Sequence, residues 1–140
     1  MTLLRKNQNN TPLASKLKAV RNDLLKLHKT LLEHEKANYE AVNGQIASTG
    51  VYLKLVLDDP QFAWLRILSG LIVEIDEAFD ADEPVTDELV FVFADQISEM
   101  LLTGNAENEF ARKYTLALEN SHSAVMQHSG IADQLAEIKR

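Results

Sequence analysis

The sequence predicts an all-α protein, a single-domain bundle of four to five main helices. Of its 140 residues, 46% are hydrophobic and 25% are charged, a balance typical of one folded domain. The apolar residues recur at helical spacing, without the alternation expected of strands. Only 5 Gly and 3 Pro occur, whereas a β-sandwich needs many turns. We therefore expect a helical domain over residues 13–140, preceded by a flexible arm over residues 1–12.

Composition excludes several classes of function. The formal net charge of −7 at pH 7 disfavours nucleic acid as a partner, because phosphate backbones are bound by clustered Lys and Arg. With no cysteine in the chain, thiolate catalysis and Cys-ligated metal centres are impossible. The longest apolar stretch, residues 62–75, is shorter than the ~20 residues that span a bilayer, and the polar N-terminus lacks the apolar core of a secretory signal. We expect a cytoplasmic protein with no membrane partner and no cofactor.

The first helix is predicted over residues 13–43. Its apolar residues recur at spacings of three and four, which places them on one face. This heptad seam consists of Leu17, Val20, Leu24, Leu27 and Leu31. A second stripe that widens the contact face consists of Leu25, His28, Leu32, Glu35 and Tyr39. Gly44 ends the helix, since glycine readily adopts the left-handed conformation at a helix C-terminus.

Two further helices are predicted in the middle of the chain. Residues 48–50, Ser-Thr-Gly, precede a short apolar run that predicts a short helix. Asp59 can cap the next helix and Pro60 suits its first position, so a third helix is predicted over residues 60–79. Its apolar residues cover more than half of the circumference, which places this helix at the centre of the core. These residues are Phe62, Trp64, Leu65, Leu68, Leu71, Ile72, Ile75 and Phe79.

A fourth helix is predicted to follow the acidic loop before residue 86 and to run to about Leu102. Thr86 or Asp87 can cap its start, and Gly104 lies just beyond its end. A run of Val and Phe within it has strand propensity, but no partner strand is visible in the sequence, so helix is preferred.

A fifth helix is predicted over residues 106–128, and a short amphipathic turn after Gly130. Within this helix, Glu119 and His122 match Glu-x-x-His, a spacing that puts a carboxylate and an imidazole on one face. Di-iron bundles use two such motifs together with two further Glu residues. Because this chain has only one motif, an exposed pair is preferred over a metal site.

His28 and Glu35 form another pair that could bind a metal or act as an acid–base dyad. They are seven residues apart and share a helix face, but two turns separate them by about 10 Å. A direct contact between them is not expected. The preferred interpretation is the polar end of the core seam, and the metal interpretation stays open.

Asp76 falls between apolar positions of the third helix, where a buried carboxylate would need a partner. Arg66 lies ten residues earlier on the same helix, too far away to be that partner. A partner from another helix is therefore expected, with Arg112, Lys113 and His128 as the candidates. Structural ion pairing is preferred over catalysis.

Several segments together carry a resemblance to a known family. They are residues 27–29, 59–66, 68–77, 109–114 and 125–128, and the most specific is Phe62-Ala63-Trp64-Leu65-Arg66. The chain from about residue 20 to residue 130 resembles a family of small uncharacterised bacterial helical proteins. This resemblance implies a bacterial, cytoplasmic, single-domain protein and transfers no catalytic residue.

Two functions are predicted. The first is a non-enzymatic interaction or regulatory protein that uses a helical surface, because the heptad seam is long and no catalytic constellation is complete. Its partner would be either another protein or a second copy of the chain in a homodimer. The alternative is a small-molecule or metal-binding bundle, which could be an enzyme, with an interior pocket. Its candidate binding residues are His28, Trp64, Arg66, Asp76 and His128, although core filling is the preferred interpretation of Trp64.

Overall fold

The computed structural model describes residues 11–103 and 108–138, and these ranges contain six α-helices, one 3-10 turn and no strand. The all-α class is confirmed, although six helices exceed the four to five predicted. None of the helices in these ranges combines the length and apolarity needed to cross a membrane. The elements are α1 Pro12–Asn43, α2 Thr49–Asp58, the 3-10 turn Pro60–Phe62, α3 Ala63–Asp80, α4 Asp87–Leu102, α5 Glu109–Asn120 and α6 His122–Ala136.

Five of the helices begin at a polar side chain that accepts a hydrogen bond from a backbone N–H three residues later. This bond satisfies an amide that has no partner within the helix. The capping residues are Thr11, Ser48, Thr86, Asn108 and Ser121. The predicted starts at Ser48 and Thr86 are confirmed. Because Thr11 caps α1, the helix begins inside the predicted arm, of which residues 1–10 lie outside the described residues.

The prediction of one helix over residues 106–128 is wrong. Ser121 is extended, with φ −135° and ψ 110°, and separates α5 from α6. Its hydroxyl caps α6, since a serine side chain competes for backbone partners and so favours helix ends. The predicted helix end at residue 128, with a separate turn after Gly130, is also wrong, because α6 continues to Ala136 and buries Ile131 beyond the glycine. The predicted boundary at Gly104 lies outside the described residues.

The five seam residues of α1 are all inaccessible to solvent within the single chain. The helix packs against α3, α4 and α6, so these partners cover the seam inside one molecule. The seam is therefore not a homodimer surface, contrary to the sequence interpretation. The central position of α3 is confirmed, since six of its residues are buried. They are Trp64, Leu65, Leu68, Leu71, Ile72 and Ile75.

Candidate functional site

None of the clefts found in the described ranges is lined by more than one of the five predicted binding residues. These residues are all within the described ranges, and no hydrogen bond joins any two of them. Arg66 donates from Nη1 to the carbonyl oxygens of Val56 at 2.8 Å and Asp59 at 3.2 Å. It therefore closes the C-terminal end of α2, where helix carbonyls lack partners.

Asp76 pairs with Arg21 on α1, not with the partners expected from the sequence. Nε of Arg21 donates to Oδ1 at 2.7 Å and Nη2 donates to Oδ2 at 2.8 Å, a two-bond geometry that suits guanidinium and carboxylate. This contact holds the pKa of Asp76 below its ordinary value. Both side chains keep part of their surface in water, at 25% for Arg21 and 41% for Asp76. The pair is structural and leaves no buried, unpaired charge.

His128 and His28 also have local partners. The Tyr114 hydroxyl lies 2.7 Å from Nδ1 of His128. Burial lowers the pKa of His128 and raises that of Tyr114, so the neutral phenol and the neutral imidazole share one hydrogen bond. Burial also lowers the pKa of His28, while a hydrogen bond with the backbone of Leu65 opposes that effect. Both histidines belong to helix contacts.

Glu35 is the side chain that defines a distinct site. It is the one buried charged residue in the described ranges, with 5% of its surface exposed. It follows Leu31 by four residues and so takes the next core position along α1. The neighbouring core residue is Trp64, at the start of α3, which is 2% exposed. At this end of the bundle a carboxylate stands where the pattern of the seam would place an apolar residue.

Three neutral N–H groups donate to the Glu35 carboxylate. Nε1 of Trp64 reaches Oε1 at 2.7 Å. Nδ2 of Asn38 and Nε2 of Gln61 reach Oε2 at 3.2 Å and 3.3 Å. A carboxylate offers about four acceptor positions, so one position on Oε1 has no donor. These bonds join α1 to the 3-10 turn and to α3.

The carboxylate lies at a cleft of about 310 Å³ between α1, α3 and α5. Two apolar side chains flank this cleft, Val42 with 84% and Leu116 with 51% of the surface exposed. Phe110 packs edge-on against Trp64, with ring centroids 5.6 Å apart, and this contact fixes α5 beside the cleft. We call this site the Glu35 cleft. Its lining is His34, Glu35, Asn38, Val42, Gln61, Trp64, Lys113 and Leu116.

Lys113 is the cation of the Glu35 cleft, but other oxygens hold it. Its Nζ donates to the carbonyl oxygen of Gln61 at 3.3 Å and lies 3.6 Å from Oε1 of Glu109. Among the residues that the structure describes, no cation approaches Glu35 within the 4.0 Å of an ion pair. The buried carboxylate is thus hydrogen-bonded but lacks an ionic partner.

Neither of the two predicted metal pairs gains a further ligand. Glu119 is exposed at the end of α5 and His122 begins α6, so the break at Ser121 separates the motif into two helices. His28 and Glu35 have different partners, as their spacing predicted. In the described ranges, no three His, Asp or Glu side chains are grouped to hold a metal ion.

Similarity to known proteins does not assign a family or a function to this chain. Comparisons of the chain with protein-family models, with curated proteins and with solved structures found no match. Function is therefore inferred from the geometry of the Glu35 cleft.

Proposed function

We propose that this protein is a non-catalytic binding module that holds a small alkylammonium ion in the Glu35 cleft. The observation that carries this proposal is the buried Glu35 carboxylate, which has three neutral donors and no ionic partner in the described residues. The proposal keeps the expectation of a bacterial, cytoplasmic protein, which rests on the sequence resemblance.

The charge of Glu35 favours a cation. Removing a carboxylate from water is costly, and the three neutral donors supply hydrogen bonds but no positive charge to balance it. An ammonium group near Oε1 would supply the missing positive charge and use the acceptor position that no N–H occupies. An anion would be repelled by the negative charge of the carboxylate. An uncharged alcohol would supply a hydrogen bond but no positive charge. The ligand expected in the cleft is therefore a protonated amine.

The apolar side chains of the cleft favour an alkyl group on that amine. Val42 and Leu116 line the cleft and expose large parts of their surfaces. A short alkyl chain that covers them leaves water, which is worth roughly 25 cal/mol for each Å² buried. This combination of a buried carboxylate and exposed aliphatic groups matches a linear alkylammonium better than a hydrated metal ion, which prefers several oxygen ligands.

The fluorescence of Trp64 can test the proposal directly. It is the only tryptophan of the chain, and its indole nitrogen donates to Glu35. Hexylammonium should change its emission in a saturable way, with a dissociation constant of about 1 mM, a weak affinity suited to so small a ligand. Hexanol and hexanoate at the same concentrations should leave the emission unchanged. A peptide with a single free lysine side chain tests whether the same group is also accepted from a protein.

The Glu35→Gln variant tests whether binding requires the negative charge of the side chain, because glutamine has nearly the same shape but no charge. The amides of Asn38 and Gln61 can turn to present oxygen to the new amide, so the contacts between α1 and α3 are retained. We expect hexylammonium to bind this variant at least ten-fold more weakly. Glu33→Gln is the matched control, because Glu33 is exposed on the same helix and does not line the cleft. Equal binding by wild type and Glu35→Gln, or no binding by the wild type, would contradict the proposal.

A further inference from the structure

Helix α2 is the one helix in the described ranges that buries none of its residues. Six of its ten residues are apolar or aromatic. Tyr52, Leu55 and Val56 pack partly against the core. Leu53 and Leu57 instead keep 55% and 66% of their surfaces exposed. Because they are four residues apart, they lie side by side on the helix.

A pair of opposite charges runs beside the two leucines. Lys54 and Asp58 are exposed and are also four residues apart, close enough for an ion pair within the helix. No such pair forms, since the described ion pairs within 4.0 Å include neither residue. We call Leu53, Leu57, Lys54 and Asp58 together the outer face of α2. It offers two adjacent apolar groups and two unpaired charges of opposite sign.

We propose that the outer face of α2 binds the same face of a second copy of this chain, with the two helices antiparallel. The outer face is complementary to itself. A two-fold axis that runs between the two helices, perpendicular to them and level with Leu55 and Val56, brings Leu53 of each copy to Leu57 of the other. The same axis brings Lys54 of each copy to Asp58 of the other, on the same flank of the contact. A two-fold interface requires such complementarity, because each residue pair occurs twice.

The shape of the surface beside α2 suits this arrangement. A groove of about 320 Å³ runs along the flank that carries Lys54 and Asp58. Its apolar walls include Val51, Leu55 and Pro60. The aliphatic stem of Lys54 of the partner subunit can lie in this groove. The ammonium group of that lysine then reaches Asp58 of the copy that forms the groove. Long cationic side chains commonly bury their stems in this way.

The small size of the contact implies weak association. A ten-residue helix is about 15 Å long, and a stable interface buries about 800 Å² on each partner. The outer face of α2 supplies only part of that area. We therefore expect a reversible dimer with a dissociation constant in the range of about 10 μM to about 100 μM.

Charge reversal at the two polar positions tests the pairing in the full-length chain. Sedimentation equilibrium from about 5 μM to about 500 μM should show a wild-type mass that rises from monomer to dimer. Lys54→Asp or Asp58→Lys alone places like charges opposite each other twice, and should weaken dimerisation about ten-fold. The double variant Lys54→Asp with Asp58→Lys restores opposite charges and should dimerise like the wild type. All positions are exposed, so the fold is retained, as circular dichroism can check.

Dimerisation is restored by the double variant only if the outer face of α2 binds the same face of a second copy, because both members of each charge pair are then reversed together. Leu53→Ser with Leu57→Ser should abolish the dimer while leaving the Glu35 cleft and its Trp64 emission unchanged. A wild type that remains monomeric over the whole range would overturn the proposal, whether the face binds another protein or nothing. A dimer that either single charge reversal leaves intact, or that the double variant fails to restore, would also overturn it.

Discussion

The contact between α1 and α3 has a carboxylate at each end, and the two ends hold it differently. At one end Asp76 meets the guanidinium of Arg21, and both side chains remain partly in water. At the other end Glu35 is buried and is held by neutral donors from three places in the chain. An ionic pair at the surface has its charge balanced, whereas the buried carboxylate retains an unbalanced charge that a ligand can meet.

Replacing each of the two carboxylate side chains by alanine should lower the free energy of unfolding by very different amounts. Glu35→Ala leaves the buried indole N–H of Trp64 without an acceptor, which should lower the free energy of unfolding by about 2–3 kcal/mol. Asp76→Ala should lower it by less than about 1 kcal/mol, because solvent screens a partly exposed pair. Urea unfolding followed by circular dichroism measures both. A larger loss for Asp76→Ala would show that the polar contact at Glu35 does little to hold α1 against α3.

The next effect concerns the apolar flank of the Glu35 cleft. Each methylene of a linear alkylammonium that becomes buried should tighten binding by up to about 0.8 kcal/mol, close to four-fold. Val42→Ser with Leu116→Ser should flatten this dependence between butylammonium and hexylammonium while methylammonium binds unchanged. Calorimetric titration of the series measures the slope. If the slope is equal in wild type and the double variant, the alkyl chain does not lie on these two residues.

Lys113 should compete with the ligand for the negative charge of the cleft. Lys113→Met removes the one Lys or Arg side chain that lines the cleft in the described ranges, so hexylammonium should bind about two- to five-fold more tightly. The matched control is Lys29→Met, a change at an exposed position of α1 that does not line the cleft. Weaker binding by Lys113→Met would indicate that the lysine helps to hold the ligand, contrary to this expectation.

The smallest effect is the pH dependence of the Asp76 pair. Arg21 lowers the pKa of Asp76 below its ordinary 3.8, so the pair stabilises the fold fully above about that pH and loses its effect as the pH falls through the lowered pKa. The stability difference between wild type and Asp76→Asn should shrink on acidification. Burial lowers the pKa of His28 and His128, so the wild type and Asp76→Asn should both lose stability below about pH 6.5. Because this loss is the same in the two proteins, it does not contribute to the difference between their stabilities. A difference that grows on acidification would contradict the assignment.

The sequence predicted the elements whose causes are local. Caps such as Ser48 and Thr86, the glycine after α1 and the alignment of the seam residues on one face of α1 all follow from short-range patterns. The break at Ser121 was within reach of the same reasoning, since serine favours the start of a helix. However, serine also occurs inside helices, and the helical spacing of apolar residues continues across Ser121. The sequence pattern therefore favoured one continuous helix.

The candidate site was predicted only in part, because its contacts are long-range. Trp64 and Glu35 were both noted, but their hydrogen bond joins residues 29 positions apart. Helical spacing shows which side chains share a face and leaves open which helix covers that face. For the same reason the partner of Asp76 proved to be Arg21, 55 residues away, instead of the three residues considered. The exposure of α2 likewise depends on which apolar surfaces the other helices leave uncovered.

The indole N–H of Trp64 can report directly whether the charge of Glu35 holds a ligand. As the only tryptophan, it gives a single indole resonance in a ¹H–¹⁵N spectrum, and its proton points to Glu35 Oε1. Titration with hexylammonium should shift this resonance to saturation in the wild type. In Glu35→Gln the resonance should persist but shift little over the same range. An equal shift in both proteins, or none in the wild type, would contradict a cation site at Glu35.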